Sequence, residues 1–179
     1  MQLSRSLTIA LSACAASVVS AANSFSLYAY GDNLPTGMKL FHADGQAYLG
    51  HKAPSFAAEA VNITLALTED LRFVASPEGS VSWTSQPSMY IGADAGDMKT
   101  VGFVSEDKIP EGATIKGFGL FGGWAYNNQK AGAIEMNFVA TPANETGLYQ
   151  IKWNAASTKI AGDHVPISLR TEAPATPQD

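Results

Sequence analysis

Residues 98–126, MKTVGFVSEDKIPEGATIKGFGLFGGWAY, decide how this chain is read. Their alternation predicts two strands, 100–104 and 113–121, joined by a polar turn at Pro110-Glu111-Gly112. In the second strand Ile115, Gly117, Gly119 and Phe121 share one face, and Lys116, Phe118 and Leu120 share the other. Side chains alternate at period two along a strand, so apolar groups on both faces predict cover on both sides. Gly117, Gly119, Gly122 and Gly123 weaken a strand intrinsically, and mark close packing, a bulge or a bend. The stretch speaks to architecture and holds no reactive constellation.

Outward from it, nearly every apolar run is short and bounded by Gly, Pro, Asn or Asp. Residues 25–30 alternate, with Phe25, Leu27 and Ala29 opposed to Ser26, Tyr28 and Tyr30. Residues 38–43 and 46–50 flank Asp44-Gly45, a pair that tolerates the positive φ of a two-residue hairpin. That register sets Phe41 opposite Tyr48 and Leu40 opposite Leu49, both favourable cross-strand pairs. Residues 53–60 suggest at most one helical turn. Residues 61–68 alternate Val61, Ile63, Leu65, Leu67 with Asn62, Thr64, Ala66, Thr68, a half-buried strand with one wet face. Further strands are expected at 71–76, 80–84, 88–92, 133–140, 147–154 and 164–170, with a polar loop at 127–132. No window carries sustained helical spacing. The fold class is therefore all-β, a single domain of the sandwich, jelly-roll or closed-barrel kind, with a β-trefoil as the alternative.

The N-terminus reads as a secretory leader. Arg5 precedes a short run rich in Ala, Ser, Leu and Val, and Val19-Ser20-Ala21 fits the small-residue cleavage rule. The expected organisation is a signal peptide at 1–21, one all-β domain at 22–170 and a flexible tail at 171–179. Cleavage removes the single cysteine, Cys14, so disulfides, thiol catalysis and cysteine-held metals are excluded from the mature chain. The remaining ~155–160 residues suffice for one core. Losing Arg5 leaves 10 of the 11 basic residues against 16 acidic ones, a net charge of −6. No basic cluster follows a phosphate backbone, so nucleic acid is not an expected partner. No membrane segment is expected after cleavage, and the polar tail lacks the apolar end of a lipid-anchor signal. Secretion, with an extracellular or cell-wall location, is the expectation.

Asn62-Ile63-Thr64 and Asn144-Glu145-Thr146 are glycosylation sequons, and a secreted chain gives both Asn62 and Asn144 the opportunity for use. His42, His51 and His164 lack metal-site spacing, and neither a metal nor a cofactor is expected. His42, on the face of Leu40 and Leu49, suits a hydrogen-bonded, partly buried ring. Glu135 is the carboxylate best placed to line a cleft, with Glu59, Glu69 or Asp94 as conceivable partners for glycoside hydrolysis. Nucleophile elbows, P-loops and dinucleotide fingerprints are absent. Tyr28, Tyr30, Trp124, Tyr126 and Trp153 offer rings to the apolar faces of sugars, though aromatics in such folds mostly fill the core. Trp124 and Tyr126, beside the Asn127-Asn128-Gln129 amides, are the leading ligand-binding pair.

Two strings, Leu40 to Gly50 (LFHADGQAYLG) and Val101 to Phe118 with its Ile109-Pro110-Glu111-Gly112 turn leading into Lys116-Gly117-Phe118, resemble small secreted fungal proteins of the PhiA cell-wall type. The resemblance covers about half of the mature chain and rests on hairpin and turn chemistry. It implies a secreted, β-rich protein associated with the cell wall and carries over no active-site residue. The leading expectation is thus a non-enzymatic fungal cell-wall or extracellular glycoprotein, with wall polysaccharide as its partner. The alternatives are a lectin-like carbohydrate-binding module using Trp124 and Tyr126, and a glycoside hydrolase using Glu135.

Overall fold

The glycine-rich stretch does not run as one strand, and the way it breaks explains the architecture. The computed structural model describes residues 24–94, 96, 98–129 and 133–173. The expected leader and most of the expected tail lie outside them. The chain opens with β1 (Ser24–Phe25), β2 (Tyr28–Tyr30), β3 (Leu40–Ala43), β4 (Gln46–Leu49), β5 (Ala60–Leu67) and β6 (Phe73–Pro77). It continues through β7 (Ser88–Gly92), β8 (Lys99–Thr100), β9 (Gly102–Val104), a 3-10 turn (Glu106–Lys108) and β10 (Ala113–Thr114). It closes with β11 (Phe118–Phe121), β12 (Trp124–Asn127), β13 (Phe138–Pro142), β14 (Tyr149–Trp153), β15 (Val165–Pro166) and β16 (Ser168–Arg170). The class is all-β.

Six of these strands close on themselves. In antiparallel order β3, β5, β6, β7, β9 and β4 pair around a ring, and β4 returns to β3 through the Asp44-Gly45 hairpin. Both turn residues have positive φ, 46° at Asp44 and 78° at Gly45. The pairs Phe41–Tyr48 and Leu40–Leu49 form in the expected register. Closure removes the edges that an open sheet would expose. The sheet extends from β4 through β14, β13 and β15, and β1 lies outside β5. A second sheet, ordered β11-β12-β16-β2, is antiparallel throughout.

The inward faces share one core. Leu40, Leu49, Ile63, Leu65, Phe73, Met89 and Val101 from the barrel join Leu27, Ala29, Phe118, Ala125 and Leu169 from the second sheet. Phe73 stacks on Phe118 at 5.1 Å between ring centroids, which ties barrel to sheet. Phe138 meets Trp153 edge-on at 4.9 Å in the same core. A smaller cluster of Phe41, Ala43, Tyr48 and Leu148 lies on the opposite face of the β3–β4 hairpin.

Three segments expected as single strands each serve both sheets. Residues 25–30 divide into β1 on β5 and β2 on β16. Residues 113–121 divide into β10 on β7 and β11 on β12. Residues 164–170 divide into β15 on β13 and β16 on β2 and β12. Buried Leu27, Ile115 and Ile167 sit at the three crossings. At the second, Gly117 takes φ 84°, a left-handed value that bends the strand out of register. The alternation drawn through Gly117 therefore fails: Thr114 and Ile115 are both buried, and Phe121 is exposed. Strand corners made by bends are how one segment can belong to two layers.

Other expectations also shift. Residues 80–84 form no strand; they lie in the loop 78–87 between β6 and β7. Residues 53–60 form a single turn, with Ala57 N–H donating to Pro54 O at 3.3 Å. The strand expected at 133–140 begins only at Phe138, after an isolated bridge between Glu135 and Asn127. Leu67, assigned inward by alternation, is exposed at the end of β5.

Candidate binding surfaces

The second sheet buries Ala29, Phe118, Ala125 and Leu169 and presents its alternate residues outward. Register places Phe121, Trp124, Arg170 and Tyr28 in one row across its four strands. The neighbouring row holds Gly119 and Tyr126 on two strands and Ser168 and Tyr30 on the other two. With strands ~4.8 Å apart, each row extends about 14 Å. Trp124 and Tyr126 are thus on one outward face of β12, a strand the sequence reading did not expect, and Tyr28 and Tyr30 share that face.

The rings are held in place. The guanidinium of Arg170 lies 4.5 Å from the Trp124 ring centroid and 5.0 Å from that of Tyr30. Such cation–π contacts fix orientation as well as contributing energy. Arg170 also donates to Glu172 Oε2 at 3.1 Å, and Tyr30 Oη donates to Glu172 O at 3.0 Å. The hydroxyl end of Tyr126 lies against Gly119, where a Cβ would come within 2.4 Å of the ring. Tyr126 therefore lies across the sheet and turns its other face outward, the presentation that stacking on a sugar requires. Trp124 shares its ring with Arg170. Phe121 is 66% exposed beside it.

The amides grouped with this pair are not all available. Asn127 is fully buried; it donates to Lys116 O at 3.0 Å and accepts from Gln129 N–H at 2.9 Å. Glu135 lines a separate cavity of about 140 Å³ with Ile91, Asn127 and Trp153. Among the described residues lining it, Glu135 is the only carboxylate. Of its conceivable partners, Asp94 lines a different pocket with Tyr90 and Lys99, and Glu59 lies at the end of the barrel.

The sequons are both accessible. Asn62 is an exposed outward residue of β5, paired with Phe41, and Asn144 is exposed in the turn between β13 and β14. Ala143, next to Asn144, packs on the Phe41 cluster, so both sequons border the same satellite of apolar side chains.

The open end of the barrel holds a further cavity, about 460 Å³, and sequence reasoning did not find it. The β3–β4 hairpin builds it. His42 is buried, 7% exposed, on the inner barrel face, and its Nε2 accepts the Gly45 N–H at 3.0 Å. Asp44, at the tip, accepts from the amides of Ala58 and Glu59 at 3.0 and 2.8 Å. These bonds hold the Asp44 carboxyl below its ordinary pKa. They also hold Glu59 at the mouth, where its half-exposed Oε1 accepts Trp83 Nε1–H at 3.2 Å and stands 3.4 Å from His42 Nδ1. The Trp83 ring meets His42 edge-on at 5.0 Å. Burial lowers the His42 pKa, opposed in part by the charges of Glu59 and Asp44. Trp83 escaped notice because its segment alternates like a strand; the signal was the long hydroxyl-rich loop around it.

Among the described residues no three His, Cys, Asp or Glu side chains converge as metal ligands, and no helix is long and apolar enough to cross a membrane. His164 Nδ1 instead lies 2.9 Å from Thr141 Oγ1. Compared with family models, curated proteins and solved structures, the chain matches none.

Proposed function

We propose that this is a secreted, non-enzymatic glycoprotein of the fungal cell wall or extracellular space that holds wall polysaccharide on the outer face of its second sheet. One observation carries the reading: Phe121, Trp124 and Arg170 stand in a row beside Tyr126, on a sheet whose other side is core. Rings offer apolar faces to sugar C–H groups, and the guanidinium offers donors to hydroxyls. A row about 14 Å long suits a run of sugar units along a chain rather than one ring in a pocket. The resemblance to PhiA-type wall proteins, the leader and the exposed sequons at Asn62 and Asn144 support the extracellular setting.

Sedimentation of the mature protein with insoluble β-glucan and chitin tests the reading. Binding to at least one polymer is expected, with Tyr126→Ala and Trp124→Ala each weakening it about tenfold or more, or ~1.4 kcal/mol. Binding that survives both substitutions unchanged rejects this face, and an intracellular distribution of the native protein rejects the setting.

A further inference from the structure

The barrel mouth has an unmet polar requirement at His42. Because Nε2 of His42 is occupied as an acceptor by the Gly45 amide, the neutral ring carries its proton on Nδ1. Nδ1 is buried and has no hydrogen-bond partner among the described residues. Glu59 Oε1 is nearby at 3.4 Å, but the two do not meet in hydrogen-bond geometry. A buried donor without a partner is destabilising, so the arrangement favours anything that supplies one.

We propose that the open end of the barrel is a second saccharide site, in which the half-exposed Glu59 side chain turns aside from the buried His42 Nδ1 and one sugar hydroxyl enters between them, accepting from Nδ1–H and donating to Glu59, while the ring's C–H face packs against Trp83. The chemistry selects this ligand class. A hydroxyl is both donor and acceptor and answers both groups together. Lys108 also lines the cavity, but a carboxylate or phosphate placed to answer Nδ1–H would meet Glu59 Oε1, only 3.4 Å from that nitrogen, and a cation would be turned away by Nδ1–H. An apolar ligand would leave both unanswered. Trp83 and Phe103 supply the apolar wall, and Ser82, Thr84 and Ser105 place further hydroxyl-bearing residues around it. The cavity falls within the ~300–1,000 Å³ range of small-ligand sites, and barrel mouths are a recurrent place for them. The cavity is wide open to solvent, so it takes a short saccharide laid against its Trp83 wall, whereas the outer sheet takes a longer stretch of chain.

The probes are soluble disaccharides of glucose, N-acetylglucosamine, mannose and galactose, added to ~10 mM while the indole N–H signals of the full mature chain are followed by NMR. At least one disaccharide is expected to shift the Trp83 signal saturably. Glu59→Gln, nearly isosteric, is expected to weaken that binding tenfold or more without changing the melting temperature. Trp124→Ala is expected to leave it unchanged. The proposal is overturned if no disaccharide moves the Trp83 signal, if binding persists unaltered in Glu59→Gln, or if it disappears in Trp124→Ala. The last result would move the sugar to the outer sheet. Sedimentation with insoluble polymer reports on that sheet separately, so the two sites stand or fall independently.

Discussion

Gly45 donates its amide hydrogen to Nε2 of His42 across 3.0 Å, and this bond makes the neutral ring part of the barrel's closure. Protonating His42 would place a second hydrogen where the Gly45 hydrogen already points. Burial opposes the charge as well, and holds the folded-state pKa below the ordinary 6.5. The unfolded chain therefore binds the proton more readily than the folded one. Stability contributed by this group is fully present above pH 6.5 and falls as the pH drops from there through the lower folded pKa. Denaturant midpoints across that window should decline in the wild type and decline less in His42→Gln. An identical pH slope in the two proteins would reject the assignment. Asp44 acts at the acid end, with stability present above its ordinary 3.8 and lost as the pH falls through its lower folded value.

Gly117 turns the chain from the barrel to the second sheet with φ 84°. A Cβ there would lie 2.9 Å from Asn128 Oδ1, and the left-handed conformation costs a non-glycine residue ~1–2 kcal/mol. Gly117→Ala should be destabilised by at least about that amount. An unchanged denaturation midpoint would mean that the bend is not where the structure puts it.

Gly119 is a space for the hydroxyl end of Tyr126. Even a methyl group would reach 2.4 Å from the ring, so Gly119→Ala must lift Tyr126 from the sheet. Far-UV circular dichroism should stay unchanged while sedimentation with polysaccharide falls as it does for Tyr126→Ala. Full retention of binding would show that the flat-lying ring is not a platform.

Asn62 and Asn144 are both exposed. The protein secreted by its native host should lose mass on endoglycosidase treatment, and Asn62→Gln and Asn144→Gln should each remove one glycan. No mass change on treatment would remove glycosylation from the proposal.

Legibility tracked the range of the physics involved. The β3–β4 hairpin was readable to the residue pair because Asp44-Gly45 and its alternating flanks are a local signal. β12 was not legible as a strand, because Gly122-Gly123 before it and the Asn127-Asn128-Gln129 amides after it read as turn and loop. The crossings were not legible either: alternation continues through Leu27 and Ile167, because a residue buried between two sheets looks like one buried in either. The barrel mouth was invisible for a related reason. His42, Glu59 and Trp83 are separated by many residues and meet only because the ring closes. Closure is a property of pairing, which no short window contains. Arg170, read as the end of a strand, became part of the aromatic face only once β16 lay between β2 and β12.

The three corners at Leu27, Ile115 and Ile167 mean that the second sheet is not a detachable layer. Three of its four strands are continued directly into β1, β10 and β15, which hydrogen-bond elsewhere, so pulling on the sheet is pulling on the backbone of the barrel assembly. A wall polymer gripping that face would load the fold through covalent chain at several points rather than through side-chain contacts alone. Amide exchange should accordingly find the cores of both layers opening together, as a single cooperative unit.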